Sequence, residues 1–266
     1  MDAVAEQIKA KIKKVETVNS VFFYVYIQTD NFESLKKVNP QILRTAIEAI
    51  SAGLPRIPEP WSSKIFYYNQ YDLLMELSQR QKKWTFSEFR PDGIVGFAPG
   101  SNAMNMAHGI GHGYHASHSD TFQDIPSKMK IFAALNRDRC GHGSSFNAAD
   151  GEAVSWVQVW PGLCEYFGLV GCEPADGEQK ASMQEFVEGH MDTWKALVER
   201  YELKKGSVEA QSWDHVHFML VDFDFDRQYS PSRARAAGFQ DSIDTVEGYR
   251  VVFDRMVSAR LIPSFR

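Results

Sequence analysis

Seven consecutive residues, Val21-Phe22-Phe23-Tyr24-Val25-Tyr26-Ile27, are all β-branched or aromatic. A strand with one face in water alternates apolar and polar side chains, so an unbroken run of this kind requires cover on both faces, as inside a parallel sheet. The neighbouring sequence supplies helices to do the covering. On one side Val4, Ile8, Ile12 and Val15 recur at helical spacing with Lys9, Lys11, Lys13 and Lys14 between them, the pattern of an amphipathic helix. On the other, Asn39-Pro40 reads as a cap and first helical position before Ile42, Leu43, Ala46, Ile47 and Ile50. Helix, strand, helix is the rhythm of an α/β fold.

Gly53 to Pro60, with three prolines, punctuates the chain, and Tyr67, Tyr71, Leu74, Met75 and Leu77 then restore helical spacing over 66–77. The alternating segment 84–91 and the run Ile94-Val95-Gly96-Phe97 predict a strand leaving into an irregular loop. In an open parallel sheet, ligands sit outside the carboxyl ends of the strands, so this loop is a candidate binding place. From about Gly100 the texture changes. A short strand is predicted at 146–150 and a helix at 157–167. A long amphipathic helix is predicted through Met183, Phe186, Val187, Met191, Trp194, Leu197, Val198 and Tyr201, and a last one through Val246, Tyr249, Phe253 and Met256. The division is thus a sheet-containing region over 1–99 and a mainly helical region over 100–266.

Composition narrows the function. With 44% hydrophobic residues the chain can bury a core, and a net charge of -5 with acids and bases interspersed leaves no basic stripe for a phosphate backbone, so nucleic acid is not an expected partner. The start Met1-Asp2-Ala3-Val4-Ala5-Glu6 lacks the basic, then apolar, order of a secretory signal, and no run approaches the roughly 18 apolar residues of a membrane span. A cytoplasmic protein without a membrane partner is expected. Cys140, Cys164 and Cys172 are too few for a disulfide framework and form no C-x-x-C pair, so they are read as reduced thiols.

Four motifs in order give the chain a family. Phe66-Tyr67-Tyr68, Arg90-Pro91-Asp92-Gly93-Ile94-Val95-Gly96-Phe97, Phe146-Asn147-Ala148-Ala149-Asp150-Gly151, and Trp156 with Trp160-Pro161 resemble, in sequence order, the progesterone 5β-reductase/iridoid synthase branch of the short-chain dehydrogenases/reductases. The closing Ala236-Ala237-Gly238-Phe239 and Leu261-Ile262-Pro263 extend the resemblance over residues 15 to 266. It implies a Rossmann-like fold and NADPH-dependent reduction of an activated C=C or carbonyl in a small apolar metabolite of secondary metabolism. Tyr68 aligns with the family's second tyrosine. The resemblance makes it the catalytic residue, stabilising charge that develops on the substrate oxygen. It also places Pro91, Gly93 and Ile94 along the nicotinamide end of the cofactor, and Val25, Tyr26 and Ile27 at the sheet end facing it.

The departures are as informative. A dinucleotide fold opens with a strand, a glycine-rich turn and a helix whose N-terminus holds the pyrophosphate. No glycine precedes Gly53 here, so an incomplete Rossmann-like sheet is expected. A second gap follows Ile50, where the family carries a strand and the lysine that makes its tyrosine a base, and a third falls between Tyr114 and Asp124. Tyr68 is therefore expected to donate a hydrogen bond rather than act as a base. The alternative is a non-redox binding or scaffold protein, or a catalytically degenerate copy. Missing strands would also expose a sheet edge, which self-association into a homodimer would cover.

Rival constellations are weaker. His108, His112, His115 and His118 have ligand-like spacing, but Gly109, Gly111 and Gly113 interleave them, so a loop is expected and no metal. His215 and His217 read as surface histidines, with Asp214 able to orient one. Asp222, Asp224 and Asp226, spaced by Phe223 and Phe225, lack the glycine and glutamate of a calcium loop. No Gly-x-Ser-x-Gly elbow or Walker loop occurs.

Overall fold

The computed structural model describes residues 66–96, 116–171, 182–209, 213–217 and 228–264, together with Gln211 and Asp226. These fall into two compact units. The first contains 66–89 and 130–146, the second 90–129 and 147–264.

The first unit is organised by α1 (Phe66–Gln81), which buries Phe66, Tyr71, Leu73 and Leu77. Leu73 and Leu77, one turn apart, gather Leu74, Trp84 and Phe86 around them. Glu76 and Arg80 form an exposed i,i+4 ion pair on the opposite side. The helix stops at Lys82, whose φ of 51° lies in the left-handed region. Tyr71 donates its hydroxyl to the carbonyl of Gly143 at 2.8 Å. Gly143 has φ 77°, and a Cβ there would stand 2.6 Å from Met75 Sδ, so both backbone and packing demand glycine. Phe89 stacks on Phe146.

Strand β1 (Ser87–Pro91) pairs with β4 (Ser144–Ala148) in one two-stranded sheet, and β2 (Gly93–Val95) with β3 (Asp120–Phe122) in another. The second pair is parallel, with Gly93 opposite Asp120, Ile94 opposite Thr121 and Val95 opposite Phe122. A parallel neighbour can be reached only by a crossover, so the α/β class follows from this ladder. Helix α2 (Asp124–Leu135) leaves directly from β3, burying Ile125, Met129 and Ala133, and the four-residue α3 (Arg137–Cys140) follows.

In the second unit α4 (Trp156–Tyr166) begins at Ser155, where the Gln158 side chain accepts the Ser155 N–H at 2.8 Å in a capping box. Helix α9 (Thr245–Ser258) is capped by Asp244, which accepts the N–H of Glu247 at 3.1 Å. It packs on α4, β3 and β2. The approach to α4 is close: a Cβ on Gly162 would meet Val246 Cγ1 at 2.6 Å. Between the two helices Trp156, Tyr249, Phe253 and Tyr166 form a chain of aromatic contacts, and the Tyr166 hydroxyl ends it on Asp254 at 2.7 Å. The remaining helices are α5 (Met183–Gly189), α6 (Met191–Arg200), α7 (Trp213–His217) and α8 (Ser232–Ala236).

Several expectations change. The single helix expected over 183–201 is two, broken at His190, whose backbone (φ −115°, ψ 10°) leaves the helical range. The strand of 84–97 is interrupted at Asp92, giving β1 and β2, and the one expected at 146–150 runs from Ser144 to Ala148. His217 lies on α7 and accepts the N–H of Met183 on Nδ1 at 3.2 Å. The amphipathic segment 4–15, the strand Val21–Ile27 and the helix predicted after Pro40 lie outside the described residues.

Candidate functional site

Tyr68 is the third residue of α1 and is half-buried. Its two neighbours behave differently: Phe66 turns into the core, while Tyr67 is exposed and lays its ring against Phe66, 4.2 Å between centroids. In the first turn of a helix the backbone N–H groups lack intrahelical acceptors and the positive end of the dipole is felt. A phenol there is suited to stabilise negative charge placed beside it.

The other described candidates lie in the second unit. Pro91 ends β1 and is exposed, Gly93 is buried in β2, and Ile94 beside it is half-buried. What fixes this turn is Thr121, fully buried in β3. Its Oγ1 accepts the N–H of Asp92 at 3.0 Å and donates to the carbonyl of Ala148 at 2.6 Å. One hydroxyl thus ties the Pro91–Ile94 turn to β3 and to the end of β4. At the carboxyl end of β2, the N–H of Gln123 reaches the carbonyl of Val95 at 2.9 Å. The Gln123 side chain lies so close over Gly96 that a Cβ there would come within 2.4 Å of Oε1. Gly93, Ile94 and Pro91 are therefore brought together in one braced segment, and Tyr68 is set in the other unit. Val25, Tyr26 and Ile27 lie outside the described residues.

A nicotinamide cofactor can be tested against these residues. Gly93 offers backbone without a side chain, and Ile94 beside it is half-buried, a composition compatible with a nicotinamide ring.

Behind β3 lies a polar cluster to which the sequence reading gave no role. Asp120 and Asp150 are each 2% exposed, and His118 is also buried. His118 joins Val154 in an antiparallel bridge, lays its ring 5.1 Å from that of Trp156, and stands 3.6 Å from Asp120 Oδ2. Asp150 Oδ1 accepts the N–H of Phe122, its own N–H donates to the Asp120 carbonyl at 2.9 Å, and its carbonyl accepts the N–H of Ile243 at 3.2 Å. Burial, reinforced by the charge of Asp120 and only partly offset by the Phe122 N–H, pushes the Asp150 carboxyl up to about 8. The sequence signal for Asp150 was its place in the Phe146–Gly151 motif, which marks the position but not its contacts.

The histidine cluster resolves differently from its spacing: His118 is a core residue, and His108, His112 and His115 lie outside the described residues. Among the described residues no three His, Cys, Asp or Glu side chains gather as a metal site. Asp226 accepts the N–H of Ser117 at 2.8 Å, and Asp222 and Asp224, like the side chains of Asp214 and His215, are outside the described set. Cys140 and Cys164 are buried thiols, and burial raises the Cys140 thiol above its ordinary value. No described helix is long and apolar enough to cross a membrane.

Comparison with known proteins places the chain in a family. The short chain dehydrogenase sirQ of Leptosphaeria maculans is 26% identical over 322 aligned positions, covering 99% of this chain and 81% of the relative. The short chain dehydrogenase ausT of Aspergillus calidoustus is 27% identical, covering 99% of this chain and 79% of the relative. The (S)-8-oxocitronellyl enol synthase of Camptotheca acuminata is 27% identical, covering 79% and 58%. The alignment with sirQ is at least 56 positions longer than this 266-residue chain, so the relative holds residues inside the aligned region that this chain does not. The family model described as a PRISE-like Rossmann-fold domain matches residues 50–118 and 109–263, its two pieces meeting beside the third gap read from the sequence. On this match over most of its length, the chain belongs to the PRISE-like Rossmann-fold family of short-chain dehydrogenase/reductase-like proteins.

Proposed function

We propose that this chain is an NADPH-dependent reductase acting on an activated C=C or carbonyl of a small apolar metabolite, in secondary-metabolite biosynthesis. The observation that carries the reading is the position of Tyr68: the residue that aligns with the family's tyrosine sits half-buried in the first turn of α1, where helix geometry favours negative charge. Held by these residues, NADPH would supply hydride-transfer chemistry toward the electrophilic carbon. Tyr68 donates its hydroxyl to the substrate oxygen as charge grows there, and solvent restores the phenol's proton once it is given up. Pro91, Gly93 and Ile94 hold the nicotinamide end, with Gly93 giving backbone access and Ile94 an apolar wall. By the resemblance, Val25, Tyr26 and Ile27, outside the described residues, are assigned to the sheet end of the cofactor.

A second reading has its own support. No glycine precedes Gly53, so the turn that lets the backbone approach a pyrophosphate is not in this sequence, which favours a non-redox binding protein or a degenerate copy. Titration with NADPH, followed by nicotinamide fluorescence and thermal shift, separates the two. The reductase reading expects saturable micromolar binding, weakened by Ile94→Asp. With a substrate in hand, Tyr68→Phe is expected to lower kcat about 100-fold or more while leaving NADPH affinity unchanged. No binding up to millimolar cofactor sinks the reductase reading.

A further inference from the structure

We infer that Asp150 is a pH-operated clasp: its carboxyl is held protonated in the folded protein, and its ionisation puts an uncompensated charge into the packing of β3 and the segment before α9 and destabilises it. The inference is independent of the proposed reductase activity.

The geometry makes a second buried charge untenable. Asp120 and Asp150 are both 2% exposed and are joined through backbone, Asp150 N–H to Asp120 carbonyl. Among the described residues the one hydrogen bond to the Asp150 carboxyl is from the N–H of Phe122, and Oδ2 is buried without a partner among them. No basic side chain among the described residues pairs with Asp150. The one cationic candidate in the cluster, His118, faces Asp120 at 3.6 Å. Three charged groups of the surrounding elements are engaged elsewhere. Asp241 pairs with Lys128, Asp244 caps α9, and Arg255 binds Asp124 while lying 5.2 Å over the Phe122 ring. The Trp156 ring lies 5.1 Å from that of His118 and 6.1 Å from that of Tyr249 of α9. Two carboxylates in one dry cluster, with His118 the one cationic candidate among the described residues, cannot both ionise without a large desolvation cost, so one keeps its proton. Asp150, the one facing no cation, is that one.

Three elements hang on it. Its Oδ1 holds the Phe122 N–H at the end of β3, its N–H holds the start of β3, and its carbonyl holds Ile243 just before α9. Since Phe122 stands opposite Val95, an ionised Asp150 that draws water also loosens the β2–β3 ladder.

The sign is fixed by linkage. Burial raises the folded-state carboxyl to about 8, against an ordinary aspartate near 3.9 in the unfolded chain. The folded state therefore binds the proton more tightly, and stability is full below about pH 4 and drains away as pH rises towards 8. In the test, Tm is followed from pH 5 to 8.5 for the wild type and for Asp150→Asn, an uncharged side chain of the same shape. The wild type is expected to lose roughly 5–10 °C more than the variant over that range, and the variant to be the more stable above pH 8. Parallel pH profiles overturn the clasp. Infrared spectroscopy of the wild type gives a second, independent readout. A protonated carboxyl band at pH 7 that titrates away near pH 8 and is missing in Asp150→Asn supports it, and a wild type without that band at pH 7 refutes it even if the variant does not fold.

Discussion

Helix α9 and the α5–α6 segment carry the same apolar spacing, but they are buried to very different degrees. Helix α9 takes Tyr249 and Val252 entirely out of water and buries Phe253 and Met256 almost as well. Helix α5 buries no residue, α6 buries only Val198, and Phe186 on the apolar side of α5 is 58% exposed. The difference lies in the neighbours. Helix α9 has α4 and two strands against it, held by an aromatic chain and by glycine-permitted close approach at Gly162, whereas α5 packs on α6 and α7. A 3.6-residue period states that a helix has a face, and what that face meets is decided elsewhere in the chain. The same argument explains the break at His190, since a helix held on both sides by packing has more reason to run straight than one that is largely solvated.

Three substitutions sharpen or break this contrast. The largest effect is expected from Tyr249→Ala in α9, which removes a fully buried ring. The loss should be about 3–5 kcal/mol in denaturant unfolding, and a loss below 1 kcal/mol would mean that α9 is not the core helix it appears in these contacts. Next is Arg255→Ala, which removes a two-pronged hydrogen bond to Asp124 (3.0 and 2.8 Å) and the guanidinium over Phe122. Both partners are about a third exposed, so the expected loss is only about 1 kcal/mol, shrinking in high salt. The pair also holds the Asp124 carboxyl below its ordinary value. The part of stability due to it should therefore persist above about pH 4 and disappear as pH falls through the lowered folded value. The smallest effect is expected for Phe186→Ser on α5, within about 0.5 kcal/mol of the wild type. A cost of 2 kcal/mol there would break the comparison, because it would show that α5 has a buried apolar face after all.

The sequence was most readable where one signal sufficed. Helices α1, α4 and α9 stand within a few residues of their predicted spans because each repeats apolar residues over several turns and α4 and α9 start at a good cap. Helix α2 went unread. Pro126 looks like a breaker, but in a first turn its missing N–H costs nothing, and Ile125, Met129 and Ala133 at four-residue steps were the signal that outweighed it. At the site, the Arg90–Phe97 motif located the braced turn but could not reveal what braces it. Thr121 lies 29 residues from Asp92 and 27 from Ala148, and no local pattern links them. The burial of His118 was out of reach for a related reason: besides nearby Asp120, its partners Val154 and Trp156 lie more than 30 residues along the chain.

The two compact units are interleaved along the chain, 66–89 and 130–146 in one, 90–129 and 147–264 in the other. On the ribosome the first cannot complete itself when α1 emerges. It must wait for the whole of 90–129, which belongs to the second unit, and for Gly143, whose carbonyl receives Tyr71. Domains that are continuous in sequence can fold one after another during synthesis. Here the helix bearing Tyr68 is made early and locked late. No single cut between 90 and 146 would yield two fragments each holding a complete unit.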